Sequence, residues 1–181
     1  KKSFLLSFIN YFLNNRLENI DSASTYLANM NNLLNRVGHS ELKFDALYTV
    51  LDNNTNYIEV SSTRITPLIF YKAEDREATY YEFAGLQIGE RWGDEFVQSL
   101  KKESFRLSNN DTLVILNKTI ENLVNFDGDK YELHNIVKTV HKEFPASAEV
   151  MIEKIKDSLK DFSVDFSKID DLIILIIKRN Q

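Results

Sequence analysis

Asp170 and Asp171 are adjacent carboxylates placed directly before the apolar run Leu172 to Ile177. An acidic pair that opens a strand sits at the end of a sheet, where its oxygens can hold a hard cation or its bound water. A second pair, Asp127 and Asp129, flanks Gly128. It lacks the alternating oxygen ligands and closing glutamate of a calcium loop, so it reads as a turn. The histidines are His39, His134 and His141. The last two lie two turns apart on one helix face, about 10 Å along the axis, too far to share a metal. All three read as surface or helix-end side chains. The sequence has no Cys, which excludes disulfide frameworks, thiolate zinc sites and a cysteine nucleophile. No G-x-S-x-G elbow, phosphate-cradling glycine loop or H-E-x-x-H motif occurs. The basic pairs Lys1-Lys2, Lys101-Lys102 and Lys178-Arg179 are scattered among acidic neighbours and read as solvated surface.

The elements that must position these groups follow from hydrophobic period. Phe4, Leu5, Phe8, Tyr11 and Phe12 recur at helical spacing and predict a first helix over about 3–15. Asp21 or Ser22 can cap a second, with Ala23, Tyr26, Leu27, Met30, Leu33, Leu34 and Val37 inward and Gly38 at its end. The pattern then changes to alternation. Phe44, Ala46, Tyr48 and Val50, the turn-rich run Asp52 to Asn56, and Tyr57 to Val60 predict a β-hairpin. Further strands are predicted at 67–72, 78–83, 103–107 and 112–116. Two helices follow, around 130–143 and 147–162, joined by a short link that contains Pro145, so they should pack antiparallel. Leu172 to Ile177 reads as a strand buried on both faces, and it and Ala46–Leu51 are expected in central strands. The fold class is α+β, a layered β-sandwich flanked by helices, with residues 1–181 as one domain.

Composition agrees with a folded domain. Of 181 residues, 43% are hydrophobic, enough for a sizeable core. The net charge is −5, which disfavours non-specific attraction to nucleic acid. No uncharged apolar run approaches the ~20 residues that span a bilayer. The first residues resemble an amphipathic helix entered midway, so the chain is expected to be cut from a longer protein.

The order of these segments resembles the metal-dependent type 2C protein phosphatases, in the bacterial branch of the stage II sporulation protein E and the sigma-factor-regulating serine phosphatases. The resemblance runs through Ala46-Leu47-Tyr48-Thr49-Val50-Leu51-Asp52, Pro67-Leu68-Ile69-Phe70, Gly85-Leu86-Gln87-Ile88-Gly89, Asp111-Thr112-Leu113-Val114-Ile115-Leu116 and Asp170-Asp171-Leu172-Ile173-Ile174. It covers essentially the whole chain. The departures fall where that family does its chemistry. Its T-D-G motif, whose aspartate binds metal, aligns onto Asn117-Lys118-Thr119, placing an ammonium where a divalent cation should lie. Its N-x-G-H-P-P turn aligns onto Ser62-Thr63-Arg64-Ile65-Thr66-Pro67, so the Gly-His pair becomes Arg64-Ile65. The remaining family ligands precede a G-x-G turn, and this sequence starts just after that point. Asp170, with Asp171 beside it, is the position that still matches a metal ligand.

One carboxylate cannot hold the two-metal centre that activates water for phosphoester hydrolysis. The resemblance therefore implies a catalytically impaired, phosphatase-like cytoplasmic signalling domain that works by binding a protein partner. In that reading no residue is catalytic and no cofactor is expected. The alternatives are an active serine/threonine phosphatase, using Mn²⁺ or Mg²⁺ at Asp170 and Asp171 with ligands supplied upstream of Lys1, and a structural α+β assembly domain. Neither nucleic acid nor membrane insertion is expected.

Overall fold

The computed structural model describes residues 2–14, 22–38, 41–64, 67–169 and 171–180. The chain divides into two compact units, Lys1–Ile65 with Phe83–Phe105, and Thr66–Glu82 with Arg106–Gln181. Each has one sheet and its own helices.

The first unit opens with α1 (Lys2–Asn14) and α2 (Ala23–Arg36). Its sheet has the order β1-β2-β5, from β1 (Leu47–Asp52), β2 (Tyr57–Ser62) and β5 (Lys101–Arg106). The turn at 53–56 closes an antiparallel hairpin in which Asp52 pairs with Tyr57 and Leu47 with Ser62. Helix α2 packs across β1 and β2, and Phe8, Phe12, Tyr26, Leu27, Met30, Leu34, Ile88 and Phe96 form the core. Tyr26 stacks on Tyr48 with ring centroids 3.9 Å apart and meets Phe12 edge-on at 5.3 Å. Such pairs add about 0.5–1.5 kcal/mol beyond the area they bury. The unit also holds a short helix absent from the sequence reading, α3 (Asp94–Ser99), whose Phe96 is fully buried.

The start of α2 is capped from another element. Ser22 makes no capping bond with its own hydroxyl. Instead Glu59 of β2 accepts from the Ala23 N–H at 2.6 Å and the Ser22 hydroxyl at 2.9 Å, with Lys102 Nζ at 3.3 Å. A carboxylate at a helix N-terminus meets unpaired amides and the positive end of the helix dipole. Burial alone would raise the Glu59 pKa, but the bonds from Ser22, Ala23 and Lys102 together hold it below the ordinary glutamate value. A folded-state pKa depressed in this way gives stability that is complete above the unfolded value of ~4.3 and is lost as pH falls through the folded one. The acid limb of the wild-type stability curve, from urea titrations between neutral pH and pH 3, is therefore expected to be steeper than that of Glu59→Gln. Parallel limbs would refute the role.

The second unit has the sheet order β4-β3-β6-β7, all antiparallel, from β3 (Pro67–Lys72), β4 (Glu77–Glu82), β6 (Thr112–Leu116) and β7 (Ile174–Lys178). Ile69, Tyr71, Val114 and Leu116 meet Ile136 and Val140 of α4 (Leu133–Glu143) and Met151, Ile155 and Leu159 of α5 (Ala148–Phe162). Ser147 caps α5 by accepting from the Val150 N–H. The Lys178 ammonium donates to the Phe144 and Ala146 carbonyls at the end of α4, where the helix leaves carbonyls unpaired.

The expectation of central positions for Ala46–Leu51 and Leu172–Ile177 is corrected here. Among the described residues β1 and β7 each have one strand neighbour, β2 and β6 respectively. The strand buried throughout is β6, which has β3 on one side and β7 on the other. Apolar composition does not separate the two, but neighbours do. On β7 and just before it, Leu175 and Ile173 remain 43% and 59% exposed.

Candidate functional site at the end of β6

The β6–β7 ladder ends with Leu116 opposite Ile174. Asn117 continues it by one rung with its side chain. Its N–H donates to the Ile173 carbonyl at 3.3 Å, and its Oδ1 accepts from the Ile173 N–H at 3.0 Å. Both remaining amide hydrogens are used as well, one to Thr119 Oγ1 at 2.9 Å and one to the Asp171 carbonyl. The carboxamide thus acts as a peptide group and clasps residues 171–173 to the strand end. Asp171 takes the left-handed conformation, φ +55°, that aspartate tolerates better than most side chains. Residues Lys118–Asn122 then form a 3-10 turn.

The fold therefore brings Asn117, Thr119 and Asp171 together, with the Lys118 backbone between the first two. Asp170 and the Lys118 side chain lie outside the described residues, as do His39 and Ile65. Arg64 belongs to the other unit, where its Nε meets Asp45 at 3.4 Å with both side chains about half exposed. Its neighbour Thr63 bonds Ala46 through both backbone and hydroxyl, at 3.0 Å and 2.9 Å, so this stretch prolongs the sheet. His134 pairs with Glu132 at 2.6 Å, and His141 lies edge-on to Tyr71. Asp127 and Asp129 sit in the expected turn, where Asn125 Oδ1 accepts both their amides, at 3.0 Å and 2.8 Å.

Beside Thr119 a cavity of about 440 Å³ opens, bounded by Leu123, Val124, Val164, Asp165 and Ile169. The sequence reading missed it. The one available signal was apolar Val124 and Phe126 on either side of Asn125, in a stretch whose turn chemistry calls for polar residues.

The profile of the Stage II sporulation protein E (SpoIIE) family matches residues 3–180. The chain belongs to the SpoIIE family. Solved structures with the same fold include the SiaA-PP2C domain of Pseudomonas aeruginosa, with TM-score 0.75 and 14% identity over 96% of this chain and 67% of that one. The Mn-presoaked phosphatase domain of SpoIIE from Bacillus subtilis has TM-score 0.54 and 13% identity, covering 96% and 73%. RsbX in complex with magnesium has TM-score 0.58 and 11% identity, covering 96% and 71%. No curated protein matches in sequence.

Two of those structures were prepared with manganese or magnesium, and the donor set in this SpoIIE-family chain can be tested against such ions. Among the described residues no three Asp, Glu or His side chains come together to hold a metal. At the end of β6 the described carboxylate is Asp171 alone, and the Asn117 carboxamide is committed to three bonds. A hard divalent cation needs about six oxygens, with at least one or two carboxylates among them. The described residues by themselves do not complete such a set.

Proposed function

We propose that this SpoIIE-family domain is catalytically impaired and acts in signalling by binding a protein partner. The observation that carries the proposal is the Asn117 clasp, which ties the strand end with an amide, followed by lysine at the position where the family motif has its metal-binding aspartate. An ammonium there repels a cation and supplies no ligand. Regulatory roles of structural neighbours support the signalling part. One was solved in work on the bacterial stressosome, and another, PppA, is named a key regulatory component of a type VI secretion system in Pseudomonas aeruginosa. The reading takes residues 1–181 as one domain, and a cytoplasmic location is what the family resemblance implies. No helix among the described residues is long and apolar enough to cross a membrane, and the acidic balance argues against nucleic acid.

Calorimetric titration with Mn²⁺ and Mg²⁺ is expected to show binding no tighter than an exposed acidic pair gives. Hydrolysis of a phosphoserine peptide in Mn²⁺ should stay at the buffer rate. The double change Lys118→Asp with Thr119→Gly should not create activity in this chain, because one added carboxylate does not complete a two-metal site. Micromolar Mn²⁺ binding that disappears in Asp170→Ala, together with Mn²⁺-dependent turnover, would establish the enzyme reading instead.

A further inference from the structure

The cavity beside Thr119 and the loop that follows it form a surface for which the fold itself has no use. Phe126 is 88% exposed, and Val164 and Val124 at the cavity wall are 47% and 42% exposed. The walls are tied together, since the Val164 N–H donates to the Val124 carbonyl at 3.2 Å. The loop carrying Phe126 is preorganised. Asn125 accepts the Asp127 and Asp129 amides through its side chain, its own N–H reaches the Asp129 carbonyl at 3.0 Å, and Gly128 supplies φ +85° at the turn. A solvent-facing aromatic on an ordered loop thus stands two residues from a cavity whose wall mixes Leu123, Val124, Val164 and Ile169 with Asn122, Ser163 and Asp165. This is the composition of an interaction hot spot, and the backbone ordering cost has already been met in the free protein. The surroundings are acidic. The two segments that build the site, 117–131 and 163–173, carry six carboxylates and three lysines.

We infer that this surface docks a polypeptide segment bearing an aliphatic or aromatic anchor flanked by Lys or Arg. The anchor fills the cavity beside the loop that carries Phe126, and the flanking cations face Asp127, Asp165 and Asp171. Charge complementarity selects this occupant, since the same carboxylates repel nucleic acid and anionic lipid. The inference deepens the protein-binding reading above and rests on it.

The test pans a phage-displayed library of random peptides on the 181-residue chain and measures the affinity of the enriched peptides by fluorescence anisotropy. The enriched pool should be cationic with an apolar anchor. Phe126→Ser, at a position exposed enough to leave the fold intact, should weaken binding at least tenfold. Asp127→Asn with Asp171→Asn should weaken it severalfold and flatten its salt dependence. Glu74→Gln with Glu77→Gln removes the same charge at the β3–β4 turn, at the other end of the sheet from Asn117, and should change nothing. No enrichment, an acidic or neutral pool, binding indifferent to Phe126→Ser, or a dimer of the chain that Phe126→Ser dissociates would each overturn the inference. Failure of the parent reading shows separately. Mn²⁺-dependent phosphatase turnover alongside Phe126-dependent peptide binding removes the non-catalytic reading and keeps the surface. No turnover and no Phe126-dependent peptide does the reverse.

Discussion

Gly89→Ala is expected to remove ~4 kcal/mol or more of folding stability. Gly89 adopts φ +85°, and a Cβ built on it would lie 2.0 Å from the Leu42 carbonyl oxygen and 3.2 Å from Leu34 Cδ2. The backbone cannot retreat, because the Gly89 N–H donates at 2.8 Å to Asn31 Oδ1, and Asn31 is fully buried with its amide donating to the Arg91 carbonyl at 2.7 Å. The left-handed conformation costs an alanine ~1 kcal/mol. Overpacking against a fixed carbonyl adds ~3 kcal/mol or more, out of a total stability of ~5–15 kcal/mol. Urea unfolding followed by circular dichroism measures the loss, and a cost below ~1 kcal/mol would show that the turn yields freely. Gly38→Ala is the control. It has φ +77° but nothing within 4 Å of the added Cβ, so it should pay only the conformational ~1 kcal/mol.

Asp111→Ala is expected to cost about 3 kcal/mol. Asp111 is 1% exposed at the start of β6, and its carboxylate accepts the Ala73 N–H at 2.9 Å and the Ser108 N–H at 2.8 Å. Its backbone carbonyl also accepts from the Arg179 N–H at 3.2 Å. One side chain thus ties the β3–β4 turn and the approach to β6, where its own backbone already meets the residue after β7. Alanine strands two amides in a site where little water reaches them. Asp111→Asn should recover part of the loss, since its oxygen can accept one amide while its NH₂ opposes the other. Equal urea midpoints for wild type and Asp111→Ala would sink the argument.

The regular elements were legible wherever period and punctuation agreed. The spans 67–72 and 112–116 coincide with β3 and β6, and Ser147 caps α5 as its hydroxyl and position suggest. Helix α3 was not legible, because six residues beside Trp92 and Gly93 are too short to show a helical period. The placing of β7 failed for another reason. Six consecutive apolar residues state that a strand is hydrophobic, whereas its rank in the sheet depends on partners far off in sequence. At the candidate site, the segment order pointed to Asn117, Lys118 and Asp171. What Asn117 does there was hidden, since its amide is satisfied by residues 54 and 56 positions away. Glu59 and Asn31 escaped notice for the same reason. Each completes the backbone of a remote segment, and such a role leaves no local pattern.

The clasp at Asn117 also limits how this lineage can change. Lys118→Asp exchanges a positive for a negative charge directly after Asn117 in the sequence and leaves the side chain that makes the clasp unchanged. Replacing Asn117 removes the side-chain bonds to Asp171 and Ile173 and loosens the 171–173 segment. Any change that opens this corner must supply another tie for residues 171–173, so the strand end and the segment it holds respond to mutation as one unit.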